Sequence, residues 1–165
     1  MSTMTDTPPA ASKLSVTKEV RVRAPRDVAW EVFTRQIGQW WPLETHKLQS
    51  AAAVDLVIEP EVGGAFYERG EDGSTCTWGR VLNWSPHDKL VVTWQISPDW
   101  KPAPEIHTEI EVRFFALSSE ETRVELEHRF LESYGGAAEQ MRQLFDSPMG
   151  WPPLLDAFAA RAAQP

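Results

Sequence analysis

The spacing of hydrophobic positions changes twice along the chain. Near the start, "LSVTKEVRV" sets Val16, Val20 and Val22 against Thr17, Lys18 and Arg21. That alternation predicts a half-buried strand beginning near Leu14. Pro25 then occupies a first helical position, with Ala29, Trp30 and Phe33 at helical spacing, so a helix is expected over Pro25–Thr34. A second short helix or turn is expected over Ile37–Trp41, stopped by Pro42.

From Val54 onward the alternation becomes that of strands. Six are expected, over Asp55–Ile58, Ala65–Arg69, Cys76–Trp84, Lys89–Ile96, Glu109–Leu117 and Arg123–Phe130. "GEDGS" (Gly70–Ser74) and "SPHDK" (Ser85–Lys89) put Gly, Asp and Pro where hairpin turns need them. Short connections favour antiparallel neighbours, so the six form a meander. "SPDWKPAPEIH" (Ser97–His107) carries three prolines and is expected to be a surface loop.

Helical spacing returns at the C-terminus. Trp151, Leu154, Leu155, Phe158 and Ala162 form an apolar stripe, with Pro152 and Pro153 in the first turn. A separate turn or helix is expected around Ala137–Phe145. The order predicts an α+β fold: a curved seven-stranded antiparallel sheet wrapped around a long C-terminal helix, with two short helices after the first strand. A sheet that curls around one helix tends to leave space between the two.

Composition narrows the function classes. The length of 165 residues suits one domain, taken as 14–165, with "MSTMTDTPPAASK" (1–13) read as a disordered tail. Hydrophobic residues at 42% exclude a disordered chain. The formal net charge of -8, without a basic stripe, argues against nucleic acid and against an anionic membrane surface. No apolar run is long enough for membrane insertion, and one cysteine, Cys76, excludes an internal disulfide framework and a cysteine-based zinc site. A cytoplasmic location follows as the expectation. No cofactor is expected, because glycine-rich phosphate loops are missing; His46, His87 and His107 fall in loops without ligand spacing, so no metal is expected. No G-x-S-x-G motif is present for a nucleophilic hydrolase.

Several segments together resemble a known family: "VRAPRDVAWEVFT" (Val22–Thr34), "WWP" (Trp40–Pro42), "GGAFYERGEDGS" (Gly63–Ser74), "WGRVLNWSP" (Trp78–Pro86), "LVVTWQI" (Leu90–Ile96), "VELEHRF" (Val124–Phe130) and "GWPPLL" (Gly150–Leu155). With the element order, they resemble the helix-grip fold of the START/SRPBCC superfamily, in the branch named after homologues of the heat-shock-protein-90 ATPase activator. The resemblance spans roughly Val16 to Phe158 and marks a fold rather than a reaction. It implies a largely apolar cavity between sheet and C-terminal helix, used across the superfamily for lipids, polyketides and other hydrophobic small molecules. It does not imply a co-chaperone role, which belongs to eukaryotic proteins with an additional domain.

Candidate residues follow from strand alternation. In "RVELEHRF", Arg123, Glu125, Glu127 and Arg129 share one face, while Val124, Leu126, His128 and Phe130 share the other. His128 is thus a titratable ring among apolar neighbours. It is either a ligand contact or general base, or a core histidine satisfied by a hydroxyl, carboxylate or backbone carbonyl. Phe66 and Glu68 share a face as well. An inward Glu68 needs a partner, for which Arg80, Arg113 and His128 are the candidates; alternatively, Phe66 is exposed and Glu68 solvated.

Trp94 falls in the apolar set of Leu90, Val92 and Ile96 and is expected inside. Alternation leaves open which face of Cys76–Trp84 is interior, and Gly79 would leave room beside Val81. Adjacent Trp40 and Trp41 diverge on a helix, so one is expected to cap the core and the other to sit at its rim. The expected cavity wall is Trp40, Trp41, Phe66, Glu68, Trp78, Val81, Trp94, Val112, Phe114, Leu126, His128, Trp151 and Leu155.

The leading functional expectation is binding of a small hydrophobic or aromatic ligand by a carrier, sensor or sequestering protein, as monomer or homodimer. One alternative is a polyketide cyclase or aromatase-like enzyme using His128 and Glu68 as acid and base. The other is a protein-interaction or oligomerisation module without a ligand.

Overall fold

A computed structural model describes residues 14–164; the expected tail over 1–13 lies outside the described residues. Seven strands form one antiparallel sheet: β1 (Ser15–Val22), β2 (Ala53–Ile58), β3 (Ala65–Gly70), β4 (Thr75–Ser85), β5 (Lys89–Trp94), β6 (Thr108–Ser118) and β7 (Glu121–Arg129). Their spatial order is β1-β7-β6-β5-β4-β3-β2. β2 to β7 are therefore a meander, and the first strand closes it by pairing with the last.

β7 shows how alternation produces this sheet. Thr122, Val124, Leu126 and His128 are buried, while the residues between them are half-exposed. On the outer face, the Arg129 guanidinium spans Glu109 at 3.0 Å and Glu111 at 2.8 Å across the ladder. Partly exposed pairs of this kind each contribute about 0.2–1 kcal/mol. The apolar inner face supplies the main driving force.

Two bulges on β4 bend the sheet. Phe66 pairs with Gly79 and Tyr67 with Thr77, which leaves Trp78 as the extra residue. Val81 pairs with Val92 and Asn83 with Val91, which leaves Leu82 extra. A bulge breaks strict alternation and increases local twist. Trp78 and Val81 therefore both face inward although three positions separate them, while Arg80 and Leu82 face out. The interior face of this strand follows no single parity.

Gly79 does not leave open space beside Val81. A Cβ there would lie 1.9 Å from the Thr93 carbonyl oxygen, so the β5 backbone already fills that volume. Gly79→Ala forces the two strands apart at the bend. The expected loss is about 1–3 kcal/mol, read as a lower urea midpoint with an unchanged slope.

Helix α1 (Arg26–Thr34) buries Ala29, Trp30, Val32 and Phe33 against the sheet. Trp30 meets Trp84 edge-on at 5.0 Å and Phe114 at 5.3 Å. Helix α2 (Ile37–Trp40) ends because Trp41, preceding Pro42, is extended at ψ 133. That turn separates the adjacent tryptophans. Trp40 packs on Phe33 and Phe158, whereas Trp41 packs on Trp78, Trp94 and Trp151. Both are buried, at 6% and 4% exposure, so neither is the rim residue expected from helical geometry.

The ladder of β5 ends at Trp94, and Ile96 pairs only through an isolated bridge to Pro102. The loop after it is mostly exposed but tucks Ala103 inside. The C-terminal helical run covers residues 131–162. It comprises a 3-10 turn (Leu131–Ala137), α3 (Ala138–Asp146) and α4 (Trp151–Ala162), whose first turn holds both prolines. The α4 stripe of Trp151, Leu154, Leu155, Phe158 and Ala162 is buried, and the helix lies against β1, α1 and α2. The sheet thus wraps a helix, and no helix among the described residues is long and apolar enough to cross a membrane.

Candidate ligand cavity

Two buried polar clusters hold the end of the wrapped sheet where β4 and β5 approach the C-terminal helices. The first centres on Glu68 of β3, which is fully buried. Its carboxylate accepts backbone N–H groups from Leu48 at 2.7 Å and Gln49 at 3.1 Å, and the Trp78 indole N–H at 3.3 Å. A buried carboxylate persists only when its lone pairs are occupied, and here amide and indole donors occupy them. Arg80, Arg113 and His128 are not its partners. The expectation of a cation failed because the segment after α2 folds back over β3 and presents its backbone.

That segment is a strap over the sheet. The Trp41 indole donates to the His46 carbonyl at 2.9 Å, and the His46 backbone N–H donates to the Pro42 carbonyl at 2.9 Å. Glu68 clamps its far end. Thr45, His46, Lys47 and Leu48 are held between these two anchors.

The second cluster centres on His128, also fully buried. The Thr108 hydroxyl donates to the Trp94 carbonyl at 2.7 Å, so its oxygen accepts from His128 Nε2 at 2.9 Å. His128 Nδ1 then accepts the Trp151 indole N–H at 3.1 Å. Both ring nitrogens are engaged and the ring is neutral; burial lowers its pKa to about 3. His128 is therefore a satisfied core histidine that ties β5, β6, β7 and the start of α4 together. Its lone pair already holds Trp151, so it is not poised as a general base. The anticipated His128–Glu68 acid–base pair does not form, because each group is committed to different partners.

Between these clusters lies a cavity of about 530 Å³. Its floor is aromatic: Trp41, Trp78 and Trp94, with neighbouring ring centroids 5.6 to 6.5 Å apart. The strap supplies Thr45, His46, Lys47 and Leu48 as one wall. Ile96 and Trp100 come from the loop after β5, Leu144 from the last turn of α3, Pro148 and Met149 from the α3–α4 connection, and Pro153 from the first turn of α4. Trp100 and Met149 are 44% and 74% exposed, which places them at the mouth. An adjoining recess of about 40 Å³ reaches Phe145, Trp151 and Leu154.

Of the residues expected from sequence, Trp41, Trp78 and Trp94 stand on this cavity and Trp151 on the recess. Glu68 acts behind the wall through the strap. Trp40, Phe66, Val81, Val112, Phe114, Leu126 and Leu155 stand in the packed core instead, with His128 fully buried beside them. The reason is the joint packing of α4 with α1 and α2, where Phe158 meets Phe33 and Trp40; the open space lies instead beside the first turn of α4.

Electrostatically, among the described residues no aspartate or glutamate lines the cavity, and Lys47 is the one fixed charge on its wall. His46 donates or accepts through Nδ1 to the Thr45 hydroxyl at 2.8 Å, and burial lowers its pKa below the ordinary value. Tyr134 lies nearby in the core. It donates to the Ile96 carbonyl at 2.7 Å, and burial raises its phenol pKa. The Trp94 indole N–H is close enough to influence that phenol but makes no hydrogen bond of normal geometry.

Residues 23–163 match the family described as activator of Hsp90 ATPase homolog 1-like protein. The chain belongs to this family. With the fold, the match carries the START/SRPBCC resemblance from expectation to finding. Among solved structures, this family member is 37% identical to Txn09, an anthrahydroquino-gamma-pyrone synthase, with a TM-score of 0.62 over 90% of this chain and 97% of that one. It is 26% identical to CalC from Micromonospora echinospora, described as a self-sacrificing resistance protein, with a TM-score of 0.62 over 90% and 94% of the two chains. Protein NE0264 from Nitrosomonas europaea, at 16% identity and a TM-score of 0.66 over 94% and 97%, shows the fold alone. No curated protein matches the chain.

Proposed function

We propose that this chain binds a flat, multi-ring aromatic molecule in the tryptophan-lined cavity and serves as its carrier, sensor or sequestering protein. The carrying observation is four indoles, Trp41, Trp78, Trp94 and Trp100, around one space of about 530 Å³. That volume suits a ligand of two to four fused rings, and indole faces favour offset or edge-on ring packing. Burying about 300 Å² of apolar ligand surface supplies roughly 7 kcal/mol before the costs of association. The synthase at 37% identity, whose name denotes an aromatic pyrone product, supports the same ligand class.

The test is titration of the protein with hydroxyanthraquinones, following quenching of tryptophan emission and the rise in melting temperature. Saturable quenching with a matching thermal shift is expected; a flat response to every fused-ring compound would overturn the reading. Trp100→Ala removes an exposed ring at the mouth, so affinity should fall about tenfold while the melting temperature of the free protein stays put.

The same sequence identity favours a second reading, a cyclising enzyme of the polyketide kind. In that reading the acid–base group is His46, the titratable imidazole on the cavity wall, rather than His128 or Glu68. Turnover of an aryl polyketone that is lost in His46→Gln, with binding retained, would establish it over the carrier.

A further inference from the structure

The cavity is apolar but its electrostatics are one-sided. The chain carries 24 acidic and 16 basic residues, yet among the described residues no acid lines this space. Lys47 does line it, half-buried on the strap. Several basic side chains pair with carboxylates: Lys18 with Asp146, Arg69 with Asp55, and Arg129 with Glu109 and Glu111. Lys47 does not. Its ammonium donates to the carbonyls of Gln49 and Ser50, and among the described residues no carboxylate pairs with it.

An ammonium has three N–H donors, and two are spent on these carbonyls. The third is available, and the charge is uncompensated. Beside it, His46 uses Nδ1 on Thr45, while Nε2 has no hydrogen-bond partner among the described residues. Both groups sit on a rigid wall, since Glu68 and Trp41 anchor the strap at either end. A cation on the wall of a space floored by indoles, with no acid lining it among the described residues, favours a guest that brings negative charge to one edge.

The geometry points to a specific ligand class: a fused aromatic ring system bearing an ionised oxygen, carboxylate or phenolate, placed against Lys47 with the rings on Trp41, Trp78 and Trp94. This inference rests on the aromatic-binding reading above and adds the charge of the ligand to it.

The test uses two ring-matched probes, anthraquinone-2-carboxylate and anthraquinone-2-carboxamide, titrated into the full chain near neutral pH. The carboxylate should bind about tenfold tighter. Lys47→Met keeps the apolar stem and removes the charge; it should bring the two probes to within about threefold of each other, chiefly by weakening the carboxylate. Lys47→Arg, with matching circular dichroism and melting temperature, should retain the preference and so exclude a folding artefact. Equal affinities in the unmodified protein, or a preference that survives Lys47→Met, would overturn the inference while leaving aromatic binding intact. Absence of binding by either probe would remove the aromatic reading together with it.

Discussion

Glu68→Ala should destabilise the protein by about 3–5 kcal/mol and collapse the cavity wall, the largest single effect expected in this molecule. The substitution strands three donors at once: the amides of Leu48 and Gln49 and the indole of Trp78. Each buried donor left unpaired costs about 1–3 kcal/mol, less whatever water recovers. Glu68→Gln separates charge from hydrogen bonding. Its remaining oxygen still accepts from Leu48 and Trp78, while its amide opposes the Gln49 N–H, so an intermediate loss is expected. Urea titration of both variants checks the order. Because the strap carries His46 and Lys47, Glu68→Ala should also abolish saturable quenching by hydroxyanthraquinones at temperatures where it remains folded. A variant as stable as the parent would mean that the carboxylate does not clamp the strap.

The clamp also explains which parts of this structure are legible in the sequence. Alternation in "RVELEHRF" assigns Val124, Leu126 and His128 to the inner face of β7 correctly, because a ladder strand with one buried face has a strict period of two; Phe130, expected with them, lies past the strand end in a left-handed turn at φ 63 and is half-buried. The same logic finds the α4 stripe and the antiparallel meander. It stops at β4, where extra residues at Trp78 and Leu82 exchange the faces twice. Nothing in the local sequence announces those bulges except Gly79, and its meaning is a close backbone contact rather than empty space.

The cavity is less legible in the sequence for a related reason. Its floor comes from regular elements, and its tryptophans stand out in the sequence. Its wall and mouth come from the strap, the loop after β5 and the α3–α4 connection, whose positions depend on long-range contacts such as Glu68 to Leu48. Two signals were present in the sequence. Trp100 in a proline-rich polar loop and Met149 in "DSPMGW" are large apolar groups where solvent is expected, and both prove to stand at the mouth. His46 and Lys47 carry no such signal; only the fold turns a loop histidine and lysine into cavity groups.

Acid should expose the role of His128. Folding holds this imidazole neutral and lowers its pKa from 6.5 to about 3, through burial. Between those values the unfolded chain binds a proton that the folded chain excludes, so stability is complete above about pH 6.5 and declines as pH falls. The decline approaches 1.4 kcal/mol per pH unit, or about 2 kcal/mol between roughly pH 7.5 and pH 5, where most carboxylates remain ionised. His128→Gln keeps a donor for Thr108 but loses the acceptor for Trp151, costing about 1–3 kcal/mol at neutral pH. Its stability should then be flatter across this range than that of the parent, so the two curves converge as acid is added. Parallel curves would show that the ring is protonated in the folded protein or exposed to water. In either case the hydrogen-bond chain from Trp151 through His128 and Thr108 to the Trp94 carbonyl would not exist in solution, and the start of α4 would need another anchor.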